Sequence, residues 1–246
     1  MNNESMIEGR NAVLEAFRSG KTVDRLYVLD GCQDGPVLTI KREAKKQDTI
    51  IKYVDKDRLD QMSQTGHHQG VIAVSAAYDY SEMEDIFANA EKKGEAPFII
   101  ILDGIEDPHN LGAIIRTANL VGAHGVIIPK NRAVGLTATV ARTSAGALNY
   151  TPMVKVTNLS KTIEELKDKG LWFVCADMEG EVMYDLNLTG PIGLVIGNEG
   201  EGVSRLVREK CDFVAKIPMK GDIDSLNASV AMGVLSFEIA RQRLKK

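Results

Sequence analysis

The residues of this 246-residue chain that are best suited to chemistry fall into three short motifs. The first covers 107–110 and is followed by Arg116. The second is a glycine-rich run at 196–202, and the third covers 224–229, shortly after 217–219. Amides, hydroxyls, a carboxylate and a guanidinium can orient a polar substrate, while glycines let a ligand approach the backbone closely. Together these residue types predict a site that binds and positions a substrate.

The glycine-rich run, Ile-Gly-Asn-Glu-Gly-Glu-Gly at 196–202, follows an apolar strand that lies late in the chain. Common nucleotide-binding α/β domains place their glycine loop after the first strand. The spacing here also differs from G-x-G-x-x-G, and the run lacks the Lys-Ser/Thr of a phosphate loop. Taken alone, the run is also compatible with an ordinary strand-to-helix turn. If it binds a cofactor, it does so differently from a Rossmann domain.

The first motif combines Asn110 with Arg116, six residues later. Asn110 follows an apolar strand, at the sheet edge where α/β proteins keep their sites, although its residue type also favours capping the next helix. Arg116 lies within a helix of Leu, Ala, Ile and Thr. Because burial of an unpaired guanidinium is costly, we expect Arg116 to meet an anion. That anion is either a carboxylate in a structural ion pair or a substrate phosphate.

The third motif precedes the last helix, so Ser225 or Asn227 can serve either as its N-cap or in a site. Met219, just upstream, is expected to pack rather than to contact a ligand. The polar run 67–70 has no further metal-type ligand nearby, and we expect turn residues there.

Composition excludes several classes of protein. Hydrophobic residues make up 44% and charged residues 26% of the chain, as in soluble globular proteins. No apolar run approaches the ~20 residues that span a bilayer. The three cysteines show no CxxC spacing, which argues against a disulfide framework or a metal site and favours the cytoplasm.

The net charge of −4 is unevenly distributed, since residues 77–96 contain two lysines and six acidic residues. The rest of the chain is therefore neutral overall. Neutral domains can still present a basic face, so the composition leaves RNA binding open and excludes only binding by bulk charge.

Residue patterning predicts two α/β domains. Residues 1–76 alternate between short elements, with helices predicted at 10–18, 36–47 and 55–63 and strands at 25–29, 50–54 and 71–76. Residues 77–96 indicate an acidic linker with one exposed helix. Residues 97–246 form a second α/β alternation that begins with the apolar strand 98–102 and includes strands at 171–176 and 192–196. Such a strand is typical of a mostly parallel sheet that is covered on both faces.

The three motifs together resemble those of the SpoU-type (TrmH-family) RNA ribose 2′-O-methyltransferases of the SPOUT superfamily. Asn110 and Arg116 match N-x-x-x-x-x-R, 196–202 matches I-G-x-E-x-x-G, and 217–229 contains I-P-M followed by S-L-N-x-S. The resemblance covers 97–246. The front segment is similar to the substrate-binding domain of the two-domain members, which is related to ribosomal RNA-binding proteins.

This resemblance implies a deep trefoil knot in the C-terminal domain and a homodimer. It also implies S-adenosylmethionine as the cofactor, bound largely through backbone groups at Gly197, Ile217 and Leu226. RNA is the implied partner, with no role for DNA, a membrane or a metal.

Catalytic roles are implied by the resemblance for five residues: Asn110, Arg116, Glu199, Ser225 and Asn227. Family members are thought to use the motif-one arginine as base or activator. We favour Arg116 stabilising the developing alkoxide and the adjacent phosphate, because a guanidinium keeps its proton and is a poor base. Glu199 would orient Asn110 or the ribose, and Ser225 with Asn227 would position the target nucleotide.

The implied reaction is 2′-O-methylation of a guanosine ribose in 23S rRNA. Several alternatives remain open at this stage. They are a tRNA ribose methyltransferase, an antibiotic-resistance rRNA methyltransferase acting at another nucleotide, a non-catalytic RNA-binding module of the same fold, and an ordinary Rossmann oxidoreductase. The order of the glycine motif disfavours the last of these.

Overall fold

A computed structural model describes residues 6–222 and 225–244, so Asp224 of the third motif lies outside the described residues. The chain divides into two compact units. One comprises the residues up to Asp79 together with Gly135–Thr139, and the other comprises Tyr80–Val134 and the chain from Val140 onward. Each unit has its own sheet.

The first unit is a four-stranded sheet with the order β1-β4-β2-β3. Strand β4 runs antiparallel to both of its neighbours, while β2 and β3 are parallel. Its elements are β1 (Met6–Glu8), α1 (Arg10–Arg18), β2 (Val23–Leu29), α2 (Gly35–Lys46), β3 (Ile50–Val54), α3 (Lys56–Met62) and β4 (Val71–Ser75). Residue patterning predicted every element except β1. That strand is only three residues long and depends on pairing such as Ile7 with Ala73.

Side-chain caps determine where two helices of the first unit, α2 and α3, begin. Asp34 caps α2 by accepting from the Val37 amide at 3.1 Å, and Asp55 caps α3 by accepting from the Arg58 amide at 2.7 Å. The expected turn at 67–70 is also present. There the buried His68 contacts Asp60 at 2.9 Å through Nε2 and accepts from the Gly70 amide at 3.0 Å through Nδ1.

The second unit is a six-stranded sheet with the order β10-β8-β9-β5-β6-β7. Every neighbouring pair is parallel, as the apolar strand patterns predicted. Its strands are β5 (Phe98–Asp103), β6 (Gly125–Pro129), β7 (Met153–Val156), β8 (Trp172–Val182), β9 (Ile192–Gly197) and β10 (Phe213–Lys216). The helices are α4 (Met83–Lys93), α5 (Pro108–Leu120), α6 (Ala138–Thr143), α7 (Leu159–Asp168), α8 (Arg205–Arg208) and α9 (Ala228–Leu244). The threading of the C-terminal segment through a knot stays a prediction.

Helix α4 is not the exposed linker helix that the acidic composition suggested. Ile86 is fully buried and Ala90 is 2% exposed. Ile86 belongs to the core cluster of the second unit, against which Met83 and Phe87 also pack. These apolar residues recur every three or four positions and form one helix face. The acidic residues occupy the opposite face. The net charge of the segment therefore gave no indication that one face of the helix is buried.

The order of the strands decides which loops meet. Asp103 at the end of β5 pairs with Gly197 at the end of β9. The loops that follow these two strands therefore begin side by side at the carboxyl edge of the sheet, which is where parallel α/β sheets bind ligands. Helix α9 packs on both α5 and β9, so the third motif reaches the same edge. Among the described residues, no helix is long and apolar enough to cross a bilayer.

Candidate active site

Three side chains from the three motifs meet in a polar junction, formed by Asn110, Glu199 and Asn227. The amide nitrogen of Asn110 donates to Glu199 Oε1 at 2.5 Å. The amide nitrogen of Asn227 donates to Asn110 Oδ1 at 2.9 Å and to Glu199 Oε1 at 3.2 Å. Each amide is held by a carboxylate oxygen, and hydrogen bonds to an ionised acceptor are stronger than neutral ones. The junction is therefore a fixed array of polar groups.

Helix α5 places Asn110 in its first turn rather than at its cap. Asp107 is the N-cap and accepts from the His109 amide at 3.1 Å, and Pro108 occupies the first helical turn. Capping by Asn110 is therefore ruled out here. Since Asp107 satisfies the helix end, the side chain of Asn110, which is 9% exposed, is available to the junction.

Asn227 serves both of the roles that its position suggested. Its Oδ1 accepts from the Ser229 amide at 3.0 Å and from the Ser229 hydroxyl at 2.6 Å, which caps the start of α9. Its amide nitrogen is turned the other way, toward Asn110 and Glu199. One side chain thus ties the last helix to the junction.

The glycine-rich run forms a tight turn that supports Glu199. Asn198 Oδ1 accepts from the amides of Gly200 at 2.9 Å and Glu201 at 2.7 Å. Gly202 has a φ of +68°, which favours glycine. A β-carbon added to Gly197 would lie 1.9 Å from the carbonyl carbon of Gly202. The turn therefore closes on itself, and a side chain at 197 would force it open.

A cavity of about 670 Å³ lies beside the junction, within the ~300–1,000 Å³ that is usual for small-molecule sites. The predicted cofactor residues Gly197, Ile217 and Leu226 all line it, and so do Glu199 and Ser225. Glu199 therefore belongs to both the cavity and the junction. Met219, which we expected to pack, is 37% exposed and also lines this cavity. That expectation was wrong because the segment after β10 borders the cavity rather than the core.

Sequence patterning missed three charged residues in the cavity wall. Arg208 bridges Asp177 and Glu179, with a nitrogen–oxygen distance of 3.3 Å to each. The charge of Asp177 and then the hydrogen bond to Glu179 raise the pKa of Arg208. Strand β8 extends beyond the predicted 171–176, and this extension carries both acids. Their spacing of two residues, which puts both on one face of a strand, was the available signal.

Arg116 lies apart from this cavity. Its side chain is exposed, so the premise of a buried guanidinium was wrong, while contact with a substrate phosphate stays a prediction. The apolar residues Leu111, Ile114, Ile115 and Ala118 take the buried face of α5, and Arg116 is on the other side. Its guanidinium has no ion pair or hydrogen bond with any other residue in the described part of the chain.

Comparison with known proteins assigns the family. The model of the SpoU rRNA methylase family matches residues 97–237. A second model, for RNA 2′-O ribose methyltransferase substrate binding, matches residues 6–81. This chain belongs to the SpoU methylase family. The YacO protein of Bacillus subtilis, assigned to the TrmH family of tRNA/rRNA methyltransferases, is 50% identical over 236 residues, which cover 96% of this chain and 94% of YacO.

Solved structures of the SpoU family share the fold. The SpoU methyltransferase AviRb from Streptomyces viridochromogenes, in complex with AdoMet, has a TM-score of 0.62 at 24% identity, covering 98% of this chain and 91% of AviRb. The A. aeolicus TrmH/SpoU tRNA modifying enzyme has a TM-score of 0.56 at 30% identity, covering 61% of this chain and 77% of that enzyme. The expected α/β architecture is thus confirmed, with a parallel-sheet SpoU methylase domain that follows a substrate-binding domain in the sequence.

Proposed function

We propose that this protein transfers a methyl group from S-adenosylmethionine to the 2′-hydroxyl of a guanosine in 23S rRNA. The observation that carries the proposal is the position of Glu199. This residue lines the cavity and also accepts hydrogen bonds from Asn110 and Asn227. A cofactor in the cavity and a ribose at the junction would therefore be neighbours, as a direct methyl transfer requires.

The cavity wall fits S-adenosylmethionine. Ile217 and Leu226 offer apolar surface and backbone groups, and Gly197 lets the glycine turn close beside them. Asp177 and Glu179 are carboxylates in the same wall, which suits a ligand with an ammonium and a sulfonium centre. When bound, the cofactor supplies a methyl group on a positively charged sulfur.

The remaining task of the protein is to orient and activate the ribose oxygen. Asn110 and Asn227, fixed by Glu199, would hold the ribose, and Ser225 at the cavity wall would position the nucleotide. Arg116 would stabilise the developing alkoxide and the adjacent phosphate. Its exposure, and its freedom from ion pairs in the described chain, leave the guanidinium available for an incoming anion.

A homodimer would bring Arg116 to a site. Helix α9 has an exposed apolar face in which Val230 is 50%, Val234 36% and Phe237 56% exposed. Gly233 on the same helix lies against Thr117, since a β-carbon there would be 3.8 Å from Thr117 Cγ2. Arg116 is the neighbour of Thr117. If a second copy packed on this apolar face, Arg116 would therefore lie at the edge of the contact between the two copies.

The choice of rRNA over tRNA rests on the first unit. We propose that residues 1–76 bind RNA, that 97–246 catalyse methyl transfer, and that 77–96 connect these two domains. The substrate-binding family model matches 6–81, whereas the tRNA modifying enzyme of A. aeolicus matches only 61% of this chain. The proposed location is the cytoplasm, where the three free cysteines would stay reduced.

The test is methyl transfer from labelled S-adenosylmethionine to protein-free 23S rRNA and, in parallel, to tRNA transcripts. Products are digested with alkali, because a 2′-O-methyl group protects the neighbouring phosphodiester. Alkali-resistant label in 23S rRNA alone is the expected result, and mapping must then place it on a guanosine. Label in tRNA alone overturns the substrate. No label in either RNA, from protein that binds S-adenosylmethionine, overturns the proposed activity on these RNAs.

A further inference from the structure

Three cationic residues lie at the carboxyl edge of the second sheet, on the side away from the cavity. Lys130 and Arg132 follow β6, and Lys155 lies in β7. Lys155 pairs with Ile128, and Lys130 is two residues beyond Ile128, on the same face of the sheet. The Lys130 amide donates to the Val156 carbonyl at 2.8 Å, which continues the strand pairing as far as Lys130.

The two lysines are close enough to influence each other. Burial lowers the pKa of Lys130, and the positive charge of Lys155 lowers it further. The ammonium of Lys155 is 4.7 Å from the centroid of the Tyr80 ring, which orients it. An anion that binds to both ammonium groups offsets the repulsion between them, because it favours the charged form of each.

Arg132 adds a third cation in an uncommon backbone conformation. Its φ is +56°, a left-handed value that few residues other than glycine adopt. Its side chain is exposed, and its guanidinium forms no ion pair within the described part of the chain. Strained backbone of this kind clusters at ligand-binding positions.

The loop that carries Lys130 and Arg132 lies against the loop that leads to Asn110. The Val134 amide donates to the Ile105 carbonyl at 3.0 Å. In the sheet order, the cavity is lined by β8, β9 and β10, whereas Lys130, Arg132 and Lys155 belong to the β6 and β7 side. The polar junction follows the ends of β5 and β9, so it lies between the cavity side and the cation side of the sheet. A cofactor from one side and a substrate from the other would meet at the junction.

We propose that Lys130, Arg132 and Lys155 bind a backbone phosphate of the RNA strand beside the target nucleotide. This inference rests on the proposed function, because it names the side from which the RNA enters the same site. The cations contact the phosphate backbone and hold the strand in register, while the junction holds the ribose.

The test measures RNA binding without catalysis. The double variant Lys130→Gln/Arg132→Gln is compared with wild type for binding of a 23S rRNA transcript over a range of salt concentrations. Affinity is expected to fall by about tenfold or more, and the slope of log K against log salt by about 1 to 2. Binding of S-adenosylmethionine should stay within about twofold, since the cavity is on the other side.

Lys92→Gln/Lys93→Gln is the matched control. It also removes two positive charges, from the exposed end of α4, which precedes β5 and thus lies at the amino edge of the sheet. If the Lys130/Arg132 double variant keeps the affinity and salt slope of this control, the phosphate site is overturned. If wild type transfers no methyl group while the double variant still loses RNA affinity, the proposed activity fails and the phosphate site stands.

Discussion

The amide of Asn110 and the carboxylate of Glu199 are joined by a 2.5 Å hydrogen bond, although 89 residues separate them in the chain. Asn227, 117 residues from Asn110, donates to both. The junction has one acceptor oxygen that receives the Asn110 and Asn227 side chains and, at 3.3 Å, the Ala228 amide. Glu199 Oε1 is therefore the group on which the arrangement depends.

Glu199→Gln should impair catalysis more than cofactor binding. The amide replaces a charged acceptor by a neutral one and weakens hydrogen bonds worth ~1.5–3 kcal/mol each to about half that. We expect methyl transfer to fall by about 10- to 100-fold, measured as kcat with saturating RNA. Isothermal titration should show S-adenosylmethionine affinity within a few-fold of wild type. Unchanged kcat would remove Glu199 from the catalytic proposal.

Asn227→Ser should separate the structural role of Asn227 from its role in the junction. Serine keeps an oxygen that can cap α9 but has no amide nitrogen to reach Asn110 and Glu199. The free energy of unfolding should therefore change by less than about 0.5 kcal/mol, while methyl transfer falls. Asn227→Ala, which loses both, should cost about 1 kcal/mol of stability. A serine variant that is fully active would show that Asn227 matters only as a cap.

Gly197→Ala should abolish cofactor binding through sterics alone. Its β-carbon would collide with the Gly202 carbonyl group at 1.9 to 2.0 Å and open the glycine turn. Gly200→Ala in the same run is the control, because the nearest atom to its β-carbon would be Asn198 Oδ1 at 3.6 Å. Equilibrium dialysis with labelled S-adenosylmethionine should find strong loss at 197 and little at 200. Equal loss at both positions would contradict the structure of the turn.

Arg116→Lys should lower turnover while leaving the fold and cofactor binding intact. Because Arg116 is exposed and lies outside the cavity, its replacement removes no internal contact. Lysine retains the charge but not the planar, bidentate geometry of guanidinium. The expected loss is about tenfold or more in kcat, with an unchanged thermal unfolding midpoint. Full activity of the variant would exclude Arg116 as a catalytic residue.

Glu8 should make the stability of the first unit depend on pH. Partial burial acts to raise its pKa, but hydrogen bonds from the Gln64 amide and from the hydroxyls of Ser63 and Thr65 outweigh this and lower it to about 2. Because the pKa of Glu8 is lower in the folded state than in the unfolded state, the ionised side chain contributes to stability at pH values above the unfolded pKa of ~4.3. This contribution to stability is lost as the pH falls from ~4.3 toward about 2.

Glu8→Gln should therefore destabilise the protein by about 1 kcal/mol at neutral pH, after allowance for solvent screening. The difference from wild type should shrink as the pH falls below ~4. Urea denaturation between pH 3 and 7 measures this, with Glu15→Gln on the exposed face of α1 as the control. A constant difference across the pH range would show that the hydrogen bonds of Glu8 do not depend on its charge.

Local sequence patterns were enough to predict most of the secondary structure and to single out the residues of the candidate site. Apolar periodicity and capping residues act over a few positions, so α1, α2 and the apolar strands 98–102 and 192–196 could be predicted locally. The motif residues Asn110, Glu199 and Asn227 could also be singled out by type and spacing. Their mutual contact could not, because it depends on β5 and β9 being neighbours in the sheet.

The tertiary structure was needed to show which side chains are buried and which contact one another. It exposed Arg116, placed α4 in the core, and extended β8 so that Asp177 and Glu179 reach the cavity. Each of these outcomes depends on contacts between elements distant in sequence. Local patterns carry little information about such contacts, because the strand order that creates them is set by the packing of the whole sheet.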